Sequence, residues 1–182
     1  MGIVRRILVA LAVLISPLAV QAEEITSAEQ LIEVTISDLK TVEETQIAEA
    51  LLAHVNTPAL ASFVLGKYKR SISPEDRARF TDAVDAYLHK QIENNADQIA
   101  GVDIEIVRSD KRGRDAIVTT RVEAEGEDPF NLRWRVVNRE DEWFVVDLEF
   151  AGIWLAIEQQ AQVKSILDRP GADIDDVIAQ FG

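Results

Sequence analysis

Gly101-Val-Asp-Ile-Glu-Ile-Val107 is the stretch at which this 182-residue chain changes its hydrophobic period from helical to two. Val102, Ile104 and Ile106 alternate there with Asp103, Glu105 and Val107. The alternation returns in Ala116, Val118, Thr120 and Val122, and again in Phe130, Leu132, Trp134 and Val136. Each run reads as a strand with one buried face. The connectors Asp110-Lys-Arg-Gly113, Glu125-Gly-Glu-Asp-Pro129 and Asn138-Arg-Glu-Asp141 are short and rich in turn-forming residues. Consecutive strands are therefore expected to be antiparallel neighbours. A fourth strand, Trp143-Phe-Val-Val-Asp-Leu-Glu-Phe150, is apolar on both faces. Such a strand belongs where helices cover it or where a cavity meets it.

Helical signals flank this block on both sides. Ser27-Ala-Glu-Gln30 resembles a capping box and opens a stripe of Leu31, Ile32, Val34, Ile36 and Leu39. A second helix is expected over residues 43–54, and Thr57-Pro58 starts a short third one that Gly66 can close. Ser73-Pro-Glu-Asp76 begins a long helix whose buried face carries Phe80, Ala83, Val84, Tyr87 and Leu88. Beyond Gly152, residues 153–166 and 173–181 read as two more helices, separated by Pro170-Gly171. The expected fold is α+β, a four-stranded antiparallel meander covered by N- and C-terminal helices. One domain is expected over residues 23–182.

Residues 1–22 have the pattern of a signal peptide. Arg5 and Arg6 precede the nine-residue apolar run from Ile7 to Ile15, and Val20-Gln-Ala22 supplies small residues at a cleavage position. The run is too short to span a bilayer. No cysteine follows the cleavage position, so no lipoprotein anchor is expected. An exported, soluble protein of the bacterial periplasm follows from this reading.

Composition narrows the function. The net charge is −13, and removing Arg5 and Arg6 with no acid takes it to −15. Nucleic acid is an unsuitable partner for so acidic a surface, because phosphate binding needs concentrated positive charge. The absence of cysteine excludes thiol nucleophiles and thiolate metal sites. Two histidines, His54 and His89, offer little to a metal centre or a Ser-His-Asp triad. No catalytic residue set and no metal or cofactor site is expected. Asp147 is the most interesting acid, since it sits within an apolar strand. It would serve either as a general base in a pocket or as a structural partner of a helix end or a basic group. Arg121, Arg133 and Arg135 share the outward strand face and read mainly as cross-strand ion pairs. Lys67, Lys69 and Arg70 form a second basic patch beside Gly66.

Two segments resemble the MlaC-type periplasmic phospholipid-binding proteins, also called toluene-tolerance auxiliary proteins. One is Phe63-Val-Leu-Gly-Lys-Tyr-Lys-Arg-Ser-Ile-Ser-Pro-Glu-Asp-Arg-Ala-Arg-Phe80, followed by Tyr87-Leu88. The other joins Leu132-Arg-Trp-Arg-Val136, Trp143-Phe-Val-Val-Asp-Leu148 and Gly152-Ile153. Ile174-Asp-Asp-Val-Ile-Ala-Gln-Phe181 is similar to the family's closing helix. The chain departs from the pattern at Ala151, Trp154 and Gln159.

The resemblance implies a carrier that holds phospholipid as cargo, acyl chains inside and headgroup outward. It also implies transfer between an outer-membrane lipoprotein complex and an inner-membrane ABC transporter complex. An apolar cavity is expected between the strands and the helices. Its strand side would be Val118, Val122, Leu132, Trp134, Val136, Phe144, Val146 and Leu148. Its helix side would be Phe80, Val84, Tyr87 and Leu88, with Ile153 and Trp154 near the sheet's end. Lys67, Lys69 and Arg70 would meet headgroups or partners. Two other readings stay open on the residues alone: a small pocket enzyme on a cone-shaped α+β fold, and a periplasmic interaction protein with a solid core.

Overall fold

A computed structural model describes residues 26–181. The expected signal peptide, residues 1–22, lies outside them. The described chain is α+β, with helices before and after an antiparallel sheet. Helices α1 (Ala28–Thr41), α2 (Ile47–Leu52), α3 (Thr57–Leu65), α4 (Pro74–Glu93) and α5 (Ala96–Ala100) come first. Strands β1 (Asp103–Arg112), β2 (Asp115–Glu123), β3 (Phe130–Arg139), β4 (Glu142–Phe150) and β5 (Ile153–Trp154) follow, then α6 (Leu155–Leu167) and α7 (Ile174–Phe181). The sheet order is β1-β2-β3-β4-β5.

Caps fix the helix starts. Ser27 Oγ accepts from Gln30 N at 3.1 Å, and Ser73 Oγ from Asp76 N at 3.0 Å. Each satisfies a backbone donor the helix cannot use itself. The cap of α3 is Asn56 rather than Thr57: its Oδ1 accepts from Ala59 N at 2.9 Å, with Pro58 in the first turn. α2 is shorter than residues 43–54, because Glu44–Gln46 forms a 3-10 turn ahead of it.

Two tight turns set the meander. Glu140 and Asp141 have φ of 53° and 67°, and the flanking Arg139 and Glu142 pair. Ala151 and Gly152 repeat that geometry at φ 51° and 85°, flanked by paired Phe150 and Ile153. Two successive positive φ values match the twist of a two-residue hairpin. The second turn therefore returns the chain along β4, and Ile153 and Trp154 form a fifth strand. This corrects the expectation of four strands and of a helix beginning at Ile153. The helix starts only once the strand pairing ends, at Leu155.

The apolar residues sort into two cores. One lies between the sheet and α1, where Ala28, Leu31 and Ile32 meet Ala116, Val118, Trp134, Val136, Trp143 and Val145. Trp134 Nε1 donates to the buried Thr120 Oγ1 at 2.9 Å, so the indole's polar edge is satisfied inside it. The other is all-helical. Ala61, Val64 and Leu65 of α3, Phe80 and Val84 of α4, Val163 and Ile166 of α6, and Val177 and Phe181 of α7 form it. Phe80 meets Phe181 edge-on at 5.2 Å, and Tyr87 meets Phe181 at 5.3 Å.

Gly66 joins α3 to the 3-10 turn Gly66–Arg70 at φ 54° and ψ −125°. A Cβ there would lie 3.1 Å from Gln160 Nε2, which donates to Phe63 O at 2.6 Å. Gly66→Ala is accordingly expected to cost about 1–3 kcal/mol, read as a lower urea midpoint at unchanged slope. Phe80→Ala should cost more, about 3–5 kcal/mol, because a fully buried ring is removed from the helical core. Denaturant melts on the two variants check both values.

Candidate functional site

The site begins with an irregularity in β4. Arg135 pairs with Asp147 but Val136 pairs with Val145, so Val146 is an extra residue on the β4 side. Such a bulge inverts the alternation beyond it. Trp143 and Val145 point into the core beneath α1, where strict alternation would also have sent Asp147. The bulge turns Asp147 to the opposite face of the sheet, beside Arg135, and Leu148 joins the core edge opposite Trp134.

The outer edge of β4 is occupied at this point. Val145 N donates to His54 O at 2.9 Å, and Asn56 N donates to Val145 O at 3.2 Å. This pairing delivers the start of α3 to the sheet and holds Ala59 and Phe63 over β3 and β4. Between them lies a half-open cavity of about 180 Å³, lined by Ala59, Phe63, Val137 and Val146 on the apolar side. Arg135, Arg139 and Asp147 complete the lining. A second cavity, between α1, α5 and β1, measures about 30 Å³, the share of one water.

Asp147 is 6% exposed and ties strand to helix. Its Oδ1 accepts from Leu148 N and from Ala156 N, both at 2.9 Å. Trp154, at the N-cap of α6, makes no side-chain cap bond, so Asp147 caps that helix from β4. Of the two roles its sequence position suggested, the helix-end partner is the one the geometry contains. Burial pushes the carboxyl above its usual range, against the opposing pull of the two N–H groups and of Arg135. Oδ2 is buried and has no hydrogen-bond partner among the described residues.

A charged row continues along the same face. Arg133 is ion-paired across the strands with Glu149, whereas Arg121 pairs along its own strand with Glu123 at 2.7 Å. The guanidiniums of Arg133 and Arg135 lie 5.4 and 4.3 Å from the Trp154 ring centroid. These are cation–π distances.

The expected cavity is relocated. Val118, Val122, Trp134 and Val136 are buried, and Val118, Trp134 and Val136 are packed under α1 with Leu132 and Leu148 at the cluster edge. Phe80, Val84, Tyr87 and Leu88 belong to the helical core, where α4 packs on α2, α3 and α7. The strand and helix sets therefore do not face each other across a void. Phe144 pairs opposite Val137, away from the α1 face on which it was placed. Val146 does line the observed cavity, and Ile153 is exposed. The physical reason is that α1, not α4, covers the strands. Ala59, Phe63, Val137 and Arg139 were missed. Phe63 stood in a segment singled out from the sequence, but only the edge pairing at Val145 brings it to the sheet.

Lys67, Lys69 and Arg70 sit together on the 3-10 turn after α3. Lys67 Nζ is 3.5 Å from Asp168, and Lys69 Nζ donates to Ser62 Oγ at 3.4 Å. Asp168, bound by Lys164 and by the Tyr68 hydroxyl, is held down at about 2. The patch is thus partly neutralised by α6. Among the described residues no cluster of three His, Cys, Asp or Glu side chains could hold a metal ion. No helix among them is long and apolar enough to cross a membrane.

Known proteins share this architecture. A curated relative from Haemophilus influenzae, the intermembrane phospholipid transport system binding protein MlaC, is 28% identical over 134 residues. The match covers 71% of this chain and 63% of that protein's length. The structure of a phospholipid-binding protein from Ralstonia solanacearum, solved in complex with a phospholipid, superposes with a TM-score of 0.70 at 16% identity. That superposition covers 84% of this chain and 95% of the other, and it shows a common fold. The family model described as MlaC protein matches residues 28–182, and this chain belongs to that family.

Proposed function

We propose that this protein is a soluble periplasmic phospholipid carrier. It takes acyl chains between α3 and the Arg135 face of the sheet, with the phosphate toward the arginine-lined rim. In this reading it passes lipid between an outer-membrane lipoprotein complex and an inner-membrane ABC transporter complex. One observation carries the reading: the half-open cavity has an amphipathic lining, apolar at Ala59, Phe63, Val137 and Val146 and cationic at Arg135 and Arg139. An amphiphile presents that same division. The likeness to a protein named for intermembrane phospholipid transport and to one bound to phospholipid supports it.

Size determines how the cargo is admitted. A cavity of 150 Å³ holds about one benzene, so the 180 Å³ here cannot enclose a full acyl chain. The cavity lies between α3 and the face of the sheet opposite the core under α1. Widening that gap moves α3 away from the sheet while the core under α1, on the opposite face, stays closed. Shielding about fifteen methylenes from water is worth roughly 12 kcal/mol at about 0.8 kcal/mol each, so only an opened apolar site can rival the bilayer as a place for the chain. Phe63, Phe150, Ile153, Leu155 and Ile157 are large apolar residues left exposed on α3 and on the segment from the end of β4 into α6. They are the surface that separated helices would offer to a chain. Among the cavity-lining residues, Asp147 has no hydroxyl, thiol or imidazole beside it, so the lining offers carrier contacts rather than a nucleophile.

Filling the gap tests the placement. Ala59→Trp should lower phospholipid recovered after incubation with vesicles at least fivefold, while the thermal melt stays within a few degrees of wild type. Undiminished lipid in a folded Ala59→Trp variant would remove the acyl chains from this cavity.

A further inference from the structure

The basic turn after α3 stands apart from the rest of this acidic chain. Between Glu49 and Glu75 the sequence holds no Asp or Glu, although acids outnumber Lys and Arg 32 to 19 over the whole. Lys67, Lys69 and Arg70 are exposed within that stretch, on the 3-10 turn Gly66–Arg70. Asp168 of α6 lies 3.5 Å from Lys67 Nζ, but it is already bound by Lys164 Nζ at 2.5 Å and by the Tyr68 hydroxyl. The side chain of Arg70 has no hydrogen bond or ion pair among the described residues. The turn itself is pinned. Arg77 Nη1 donates to Lys69 O at 2.8 Å and to Ile72 O at 2.7 Å, and Ser71 Oγ donates to Tyr68 O at 2.9 Å. Cations presented on a fixed backbone lose less freedom on binding than cations on a loose one. An apolar element adjoins them. Lys69 Nζ reaches back to Ser62 Oγ at 3.4 Å, beside Phe63, which is 39% exposed and lines the cavity.

We propose that this turn, with Phe63 beside it, is a docking surface for a protein partner that presents carboxylates around an apolar centre; its purpose, though not its evidence, rests on the carrier reading. Charge complementarity selects that partner. Exposed charges act over about one Debye length, about 10 Å at 0.1 M salt. A compact acidic patch on a protein therefore meets the turn alone, where Lys67, Lys69, Arg70 and Lys164 stand against the one carboxylate of Asp168. An anionic bilayer is flat and extended, so it faces the whole near side of a molecule whose net charge is −13. The carboxylates set orientation and encounter rate, and an exposed aromatic supplies the desolvated anchor. Because α3 carries Phe63 into both surfaces, a partner seated here stands at the mouth of the cavity.

The test expresses the full chain in its own bacterium with photoreactive benzoylphenylalanine in place of Phe63, and identifies the cross-linked peptides by mass spectrometry. The expected product is a protein adduct whose cross-linked segment carries more Asp and Glu than Lys and Arg. Its yield should fall at least tenfold in Lys69→Glu/Arg70→Glu and return in Lys69→Arg/Arg70→Lys, with thermal melts within a few degrees of wild type. A neutral or basic cross-linked segment overturns the proposal whether or not the variants fold, as does the absence of any protein adduct. An undiminished yield in a folded Lys69→Glu/Arg70→Glu protein also overturns it. Vesicles of phosphatidylglycerol and phosphatidylethanolamine at 0.15 M salt should not pellet the wild type; pelleting that the charge reversal abolishes assigns the turn to a bilayer instead. Phospholipid recovered after vesicle incubation should be equal in wild type and the reversed variant, and its loss from the variant alone assigns the cations to the headgroup and overturns the docking role. No lipid in wild type removes the carrier reading, while the cross-link still decides whether the turn docks an acidic protein.

Discussion

Everything distinctive about this molecule depends on where the side chains of β4 point. A strand allows no freedom in that respect: its period is two, and one added residue inverts the assignment of all that follow. Val146 is that residue. Before it, Trp143 and Val145 are buried in the core under α1; after it, Asp147 lies on the other face and Leu148 returns to the core edge. Without the bulge a carboxylate would enter an apolar interior, at a desolvation cost of several kcal/mol. With it, the same carboxylate caps α6 and borders a cavity.

From β4 the rest of the architecture follows. One of its faces is sealed by α1, and its outer edge is taken first by residues 54–56 and then by β5. The first of these edge pairings launches α3, and the second leads directly into α6. The two helices therefore reach the sheet through β4, while most of their burial is against α4, α7 and each other. A chain with two cores joined along one strand has a natural line of separation. The amphipathic cavity lies beside that line, between α3 and β4.

Charge is organised around the same strand. The protein is strongly acidic overall, yet Arg133, Arg135 and Arg139 run along β3 on the cavity face. The ring of Trp154 lies under two of these guanidiniums. The ring thus engages the charged row on the sheet's cavity face rather than adding to the buried core.

The amino-acid sequence alone determined the element order, the antiparallel meander and most helix starts, because these depend on local periodicity and on caps within four residues. Ser27, Ser73 and the alternation through residues 116–123 and 130–137 carry that information in plain view. It also marked Asp147 as a carboxylate out of place in an apolar strand. The location of the cavity was not legible. Val118, Trp134 and Phe80 are all apolar residues on periodic faces, and periodicity says which face is buried but not which element buries it. The choice of α1 rather than α4 as the cover of the sheet is made by contacts between residues roughly a hundred positions apart. The bulge at Val146 was equally hidden, since both faces of β4 are apolar and either parity satisfies the pattern. Only the tertiary pairing of β4 with β3 on one side and with residues 54–56 on the other decided it, and with it the side of the sheet on which the cavity lies.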